Sequence, residues 1–309
     1  MFRVALSCLG VFALGGALAS GFPWGPRAIV AAADRPALFI SVVDGTGTPM
    51  TDIDLSQVRF RIGGRLCASP RIELIDWPMK LQVLVDNGVA AAKSLPAITD
   101  ALRAFIDELG EGIQTSLVAY APEPRVLVQP TTNPQKLVAG LDLIAPSPRG
   151  ARFVEAASQA TERIASTKGD FFHTLMVITT DGPEETGGVA GKVSRMQKRL
   201  TEHPATAHVL MAALGDQPVV GKVAGAVQTQ AGFMLTTATR GTFETVNGPA
   251  QLSAVMKEFG RKIARSNLLQ THQYRVTCDK PPSNSPTTAL SIAIPLGGDF
   301  RVTEDGHLP

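Results

Sequence analysis

Apolar and polar positions alternate along this chain in two different rhythms, and the change between them divides it. Residues 37 to 76 read as β structure: ALFISVV is an apolar run, DGTGTPMTD is turn chemistry, VRFRI alternates, and RIELIDW is again strand-like before Pro78 closes the segment. From Met79 onward short apolar runs alternate with segments of helical spacing. KLQVLVD has the length and composition of a buried parallel strand. Residues 92 to 109 then place Leu95, Ile98, Leu102, Phe105, Ile106 and Leu109 on one helical face, with Gly110 as the stop. TSLVAYA is the next strand and RVLVQP its expected hairpin partner; Asn133-Pro134 opens a short helix, and the loop APSPRG leads into a helix over 153–166.

HTLMVITTD reads as a second fully buried strand that ends on an aspartate, followed by a glycine-rich loop, a basic helix and the strand AHVLMAAL. A helix near 220–230, a short strand FMLTTA and an amphipathic helix over 249–265 complete this half. HQYRVTC and ALSIAIPL read as antiparallel strands joined by a Pro/Ser/Asn loop, and FRVTEDGHLP offers one more strand. Strand–helix alternation with short apolar strands predicts an α/β fold with a doubly wound, mostly parallel sheet covered by helices on both faces. The terminal β segments are expected to pack together as a small accessory module. The expected boundaries are 1–33 for a leader, 34–78 for the first β segment, 79–266 for the α/β domain and 267–309 for the last β segment.

The leader is expected on chemical grounds. Arg3 precedes the apolar run Val4 to Leu18, and small residues follow at Ala17-Leu18-Ala19 and at Ala31-Ala32-Ala33. That is signal-peptide chemistry, with cleavage after Ala19 or Ala33. The run is shorter than the roughly 20 residues of a membrane span, so no span is expected once it is removed. The reading is therefore of an exported protein, periplasmic or extracellular. Cys8 leaves with the leader, and Cys67 and Cys278 remain. In an oxidising compartment they either bond or pack as small hydrophobes; their placement on sequence-distant strands of one β module favours the bond.

Composition removes several function classes. The chain has 309 residues, 44% of them hydrophobic and 18% charged, with a net charge of +2. Such a balance leaves no basic stripe for nucleic acid, and the densest basic run, KVSRMQKR, reads as a solvated helix face. ETGGVAGKVS fails the spacing of a phosphate-binding loop, and VDNGVAAAK lacks the dinucleotide fingerprint. His173, His203, His208, His272 and His307 are scattered, with no metal-ligand spacing and no nucleophile elbow nearby. Glu184-Glu185 reads as part of a solvated loop. No enzyme is expected.

Two strand ends carry the remaining signal. VLVDNGVA ends a buried strand on Asp86, and VITTDGPEE ends another on Asp181. With APSPRGARFVEAA between them and GTFETVNGPAQLSAVM after them, the core over 79–266 resembles a von Willebrand factor type A domain. The flanks VVDGTGTPMTDID, VRFRIGG and QYRVTC…IAIPL resemble a bacterial exported subgroup often called VWFA-related. In that family a D-x-S-x-S motif, a threonine and a further aspartate surround Mg²⁺ or Mn²⁺ at the carboxyl ends of the strands. Matched residue by residue, Asp86 and Asp181 stand at the two aspartates, Gly88 and Ala90 at the serines, and Ala151 at the threonine. Three of the five ligand positions therefore lack a side-chain oxygen, and a hydrogen or methyl cannot coordinate a hard cation.

The resemblance thus implies a degenerate metal site, with Asp86 and Asp181 as its only weak ligand candidates and no tightly bound Mg²⁺ or Mn²⁺. The two aspartates are expected instead to accept loop N–H groups or cap helices. Asp86, Asn87, Gly88, Ala90, Ala151 and Asp181, in the loops 87–91, 146–152 and 182–191, form the candidate surface for a protein partner. The alternative is an adhesion-type protein with weak metal dependence.

Overall fold

Where a strand is buried along both of its faces, helices or another layer must cover each side of its sheet, and this dictates the architecture around 79–266. The computed structural model describes residues 27–29, 37–54, 56, 58–213, 226–279, 290–293 and 299–308, and all counts of elements refer to these. The expected leader lies outside them except for Arg27–Ile29, and Cys8 lies outside them altogether.

The central sheet contains β6 (Met79–Val85), β7 (Gln114–Ala119), β8 (Arg125–Thr131), β9 (Phe172–Thr180), β10 (Thr206–Ala213) and β11 (Phe243–Asn247). Its order is β11-β10-β9-β6-β7-β8. All neighbours are parallel except the hairpin β7–β8, which is antiparallel as its short connection requires. Every residue of β9 is buried. On one face α1 (Leu95–Leu109), α2 (Pro134–Leu141) and α6 (Leu252–Gln270) bury Ile98, Phe105, Leu141 and Phe259 against Leu81, Val83 and Met176. On the other, α3 (Phe153–Ser166), α4 (Val189–Glu202) and α5 (Ala226–Ala238) cover Leu84, Leu175, Val177 and Val209. Each such large side chain contributes about 1.5–3 kcal/mol on leaving water. The fold class is therefore the doubly wound α/β sheet with helices on both faces.

The terminal segments interleave. β2 (Ala37–Val43), β5 (Pro70–Ile75), β12 (Gln273–Cys278) and β14 (Asp299–Thr303) form one four-stranded sheet in the order β14-β2-β12-β5. β1 (Arg27–Ile29), β3 (Arg59–Ile62), β4 (Arg65–Leu66) and β13 (Leu290–Ala293) form another, in the order β1-β13-β3-β4. Leu38, Ile40, Val42, Phe60, Ile62, Tyr274 and Val276 share a core of their own. Cys67 is buried in that core and is bonded to Cys278, with an S–S distance of 2.01 Å and Cα atoms 6.0 Å apart.

The alternating pleat of β2 sends Phe39 the other way, onto Trp77 at 5.6 Å, and Trp77 meets Phe172 at 5.6 Å. One strand thus packs into both cores, and the β module sits on the amino-terminal ends of the parallel strands. The carboxyl ends stay free of it.

Two expectations need correction. FMLTTA is not a strand; it is the second half of α5, where Gln228, Ala231, Gly232, Leu235 and Thr236 are buried at helical spacing and Phe233 points outward. HQYRVTC and ALSIAIPL do not pair with each other. β12 pairs with β2 and β5, while β13 pairs with β1 and β3 in the other sheet.

Three buried histidines make stability pH-dependent. Burial lowers His208 to about 3 and His173 to about 4, and it also lowers His307. In the unfolded chain each imidazole titrates near 6.5. The unfolded state therefore takes up protons that the folded state refuses, and stability present above about pH 6.5 is lost as the pH falls toward the folded values. Asp86 and Glu184, raised by burial, act in the opposite sense at lower pH and offset part of this loss. Denaturant titrations from neutral to mildly acidic pH are expected to lose up to about 1.4 kcal/mol per pH unit for each histidine. A flat profile across that window would contradict the assignment.

Candidate functional site

Asp86 follows the last residue of β6, and its own N–H continues the ladder to the Ile178 carbonyl at 3.0 Å. This puts its carboxylate at the carboxyl edge of the sheet, between β9 and the loop that leads to α1. The group is only 1% exposed and its bonds are already made. Oδ1 accepts from the Gly88 N–H at 2.7 Å. Oδ2 accepts from the Thr180 hydroxyl at 2.5 Å and from the Thr180 N–H at 3.2 Å. Burial pushes the Asp86 carboxyl above its ordinary value, and the Thr180 and Gly88 bonds pull it back down.

The positions where the resemblance places hydroxyl ligands are filled by chain. A Cβ at Gly88 would lie 3.0 Å from the Ala151 N, 3.1 Å from the Arg149 carbonyl and 3.1 Å from Asp86 Oδ1. Backbone of the 146–152 loop therefore presses on Gly88, and the Val89 N–H donates to the Arg149 carbonyl at 2.9 Å. The Ala90 methyl sits against Gly182, where no Cβ would fit. Ala151 is buried and bridges to Glu184 in parallel register. Asp181 joins the edge through its N–H, which reaches the Ala212 carbonyl at 3.3 Å.

Asn87 is largely committed to backbone. It is 4% exposed and works as a clamp: Nδ2 donates to the carbonyls of Ala121 at 3.1 Å and Ala145 at 2.8 Å, and Oδ1 accepts from the Ala121 N–H at 2.8 Å. Its carbonyl also accepts from the Ser147 N–H at 2.7 Å. A single amide side chain thus fastens the turn after β7 to the loop before α3.

The 182–191 loop is tied in by residues whose role the linear pattern did not reveal. Glu184 and Glu185 are not merely solvated. Glu184 Oε2 accepts from the Phe153 N–H at 3.0 Å and Oε1 from the Thr186 N–H at 3.1 Å. Glu185 Oε1 accepts from the Gly150 N–H at 2.8 Å, and the Thr186 hydroxyl accepts from the Glu155 N–H at 3.1 Å. Glu184 and the Thr186 hydroxyl cap the first turn of α3, whose own N-cap residue Arg152 supplies no side-chain acceptor, and Glu185 holds the loop just before it. Their only sequence signal is a Glu-Glu-Thr run after a strand end, and nothing local shows which N–H groups lie opposite.

These residues do not fit a divalent cation. Mg²⁺ wants a near-octahedral oxygen shell, whereas Asp86 is spent on Thr180 and Gly88, and Gly88, Ala90 and Ala151 offer no oxygen from their side chains. Among the described residues no three His, Cys, Asp or Glu side chains gather as a ligand set. Neither Asp86 nor Thr180 shares a hydrogen bond with a histidine among the described residues, so no nucleophile–base pair is formed there. Restoring a serine at the family position is expected to fail. Gly88→Ser should cost about 1–3 kcal/mol, because backbone must move to admit the side chain. Its melting midpoint should not respond to Mg²⁺; a stabilised, Mg²⁺-responsive variant would contradict this geometry.

No protein-family model and no curated protein matches the sequence. Among solved structures, a von Willebrand factor type A protein from Catenulispora acidiphila superposes with a TM-score of 0.51 at 14% identity, over 88% of this chain and 66% of that one. The chain thus spans slightly less than two thirds of that protein. The hypothetical protein BatB from Bacteroides thetaiotaomicron matches over 61% of this chain and 100% of its own, with 17% identity and a TM-score of 0.46. The von Willebrand domain of the pilus tip protein Mfa5 from Porphyromonas gingivalis matches over 61% and 96%, with 12% identity and a TM-score of 0.45. The α/β core has the von Willebrand factor type A fold.

Proposed function

We propose that this chain is an exported, non-catalytic interaction module. It binds a protein partner through the loops at the carboxyl edge of its parallel sheet, without a tightly held metal. The observation that carries the reading is the engagement of both Asp86 oxygens by Thr180 and Gly88, with the 149–151 backbone closed over the position where a serine ligand would stand. Hydrogen bonds among the three loops fix them relative to one another. Open α/β sheets present their variable loops at this edge, and Val89 stands 49% exposed there as an apolar contact.

Export rests on the signal-peptide chemistry before residue 34 and is supported by the Cys67–Cys278 bond, which belongs to an oxidising compartment. Among the described residues no helix is long and apolar enough to cross a membrane. Cleavage after Ala19 leaves β1 in place, whereas cleavage after Ala33 removes it. The weakly metal-dependent adhesion reading would require Mg²⁺ or Mn²⁺ to displace the Thr180 hydroxyl from Asp86.

The test is a photo-crosslinking residue placed at Val89 in the cell that makes the protein, with adducts read before and after chelation. A discrete adduct that persists in EDTA is the expected result. An adduct that forms only with Mg²⁺ or Mn²⁺, or none at all, would overturn the reading.

A further inference from the structure

Beside the closed metal position lies an open groove of about 770 Å³, and its walls are unusual in composition. Pro122 and Pro124 line one side, Pro146 and Pro148 the other, and Asn87 lies at its floor, where its clamp sets the spacing of the two walls. Such walls are apolar and conformationally stiff, so an extended segment laid between them costs little ordering of the protein itself.

The charged lining is one-sided. Arg125, Arg149 and Arg152 face a single carboxylate, Glu123. Arg125, on the edge strand β8, is exposed and makes no ion pair with any described residue. Arg149 and Arg152 each reach an acid only at 3.5 Å, Glu185 and Glu123 respectively, and in each pair one side chain is well exposed, Arg149 at 64% and Glu123 at 75%, while its partner is about a third exposed. Pairs of that length and exposure contribute little, so they exchange readily for a better-placed partner. Guanidinium forks bind carboxylates in bidentate fashion, and each such bond is stronger than a neutral one.

We propose that this groove is the specificity site of the interaction surface and takes an extended, acidic segment of a partner protein. Carboxylates of that segment pair with Arg125 and Arg152, and its neighbouring apolar residues lie on the prolines. This rests on the reading of the carboxyl-edge loops as a protein-binding surface and names the chemistry of what binds there. Arg149, paired with Glu185, sets the groove's basic end.

The experiment uses the full mature chain as bait for a displayed library of random peptides, in EDTA, with Arg125→Glu and the milder Arg125→Ala selected in parallel. Circular dichroism and melting confirm that each variant is folded; Arg125 is exposed on an edge strand, so both should be. Peptides enriched in Asp and Glu are expected, with affinity falling about tenfold, or one factor of 1.4 kcal/mol, in Arg125→Ala. The fall should be steeper in Arg125→Glu and with added salt. Enrichment of basic or neutral peptides, or acidic peptides whose binding ignores both variants, would overturn the groove assignment while leaving the surface itself a binding surface. Absence of any enriched peptide would overturn the groove assignment, and the crosslinking result at Val89 then decides separately on the surface.

Discussion

Replacing both Cys67 and Cys278 with alanine will lower the unfolding free energy by about 2–5 kcal/mol, toward the upper end of what one disulfide contributes. The bond closes a loop with a sequence separation of 211, which spans the whole α/β core. Without it the unfolded chain regains the freedom to separate its two ends, and that gain grows with the logarithm of the loop. The β module feels the loss most. Its core is assembled from residues before 79 and after 272, such as Ile40, Phe60 and Val276, so it exists only when both ends meet. Denaturant titration of the oxidised protein and the double alanine variant reads the effect directly. A loss below about 1 kcal/mol would show that the ends are held together by packing alone.

Asn87→Ala should be the most damaging single change at the carboxyl edge, at about 2–4 kcal/mol. The side chain satisfies both the N–H and the carbonyl of Ala121 and the carbonyl of Ala145, all close to the buried end of β6. Truncation leaves the buried Ala121 N–H and carbonyl without partners, together with the part-buried Ala145 carbonyl, and an unsatisfied buried group costs more than a hydrogen bond yields. Asn87→Asp separates the two halves of the clamp. It keeps the acceptor for the Ala121 N–H but turns the donor toward two carbonyls into an acceptor, so it should be no better than alanine. The measurement is the urea midpoint of each variant, with hydrogen exchange at Ala121 as a local probe. Wild-type stability in both would mean that the clamp is incidental.

Much of the fold was legible in the sequence because the parallel strands announce themselves. KLQVLVD and HTLMVITTD centre on large apolar side chains at successive positions, the pattern of a strand covered on both faces. The face of α1 was legible for a related reason: Leu95, Ile98, Leu102, Phe105, Ile106 and Leu109 repeat at the helical period, and all are buried. FMLTTA was misread because a six-residue apolar run carries no period long enough to separate strand from helix. Its helical partners, Gln228 and Ala231, lie before it. The pairing of β12 with β2 rather than β13 was not legible, since strand partners more than two hundred residues apart leave no local trace.

The site divides in the same way. Asp86, Gly88, Ala90 and Ala151 were legible as positions, because a strand end and a loop-to-helix entry are local patterns. What each does now was not. Whether Asp86 faces a cation or the Thr180 hydroxyl depends on the approach of β9 and of the 146–152 loop, which only the folded chain shows. Glu184 looked solvated because acids in polar loops usually are; its partners, the N–H groups of Phe153 and Thr186, come partly from another element.

The most direct test of a carboxyl edge held by hydrogen bonds alone is thermal melting of the mature protein in EDTA and in millimolar Mg²⁺ or Mn²⁺, beside Asp86→Ala. A cation bound only by the folded state would raise wild-type stability by about 2.7 kcal/mol at a hundredfold excess over Kd. Coincident wild-type curves are expected under all conditions, with an Asp86→Ala midpoint that is lower by the same amount in each. A metal-induced rise in the wild type that disappears in Asp86→Ala would contradict an edge held by hydrogen bonds alone.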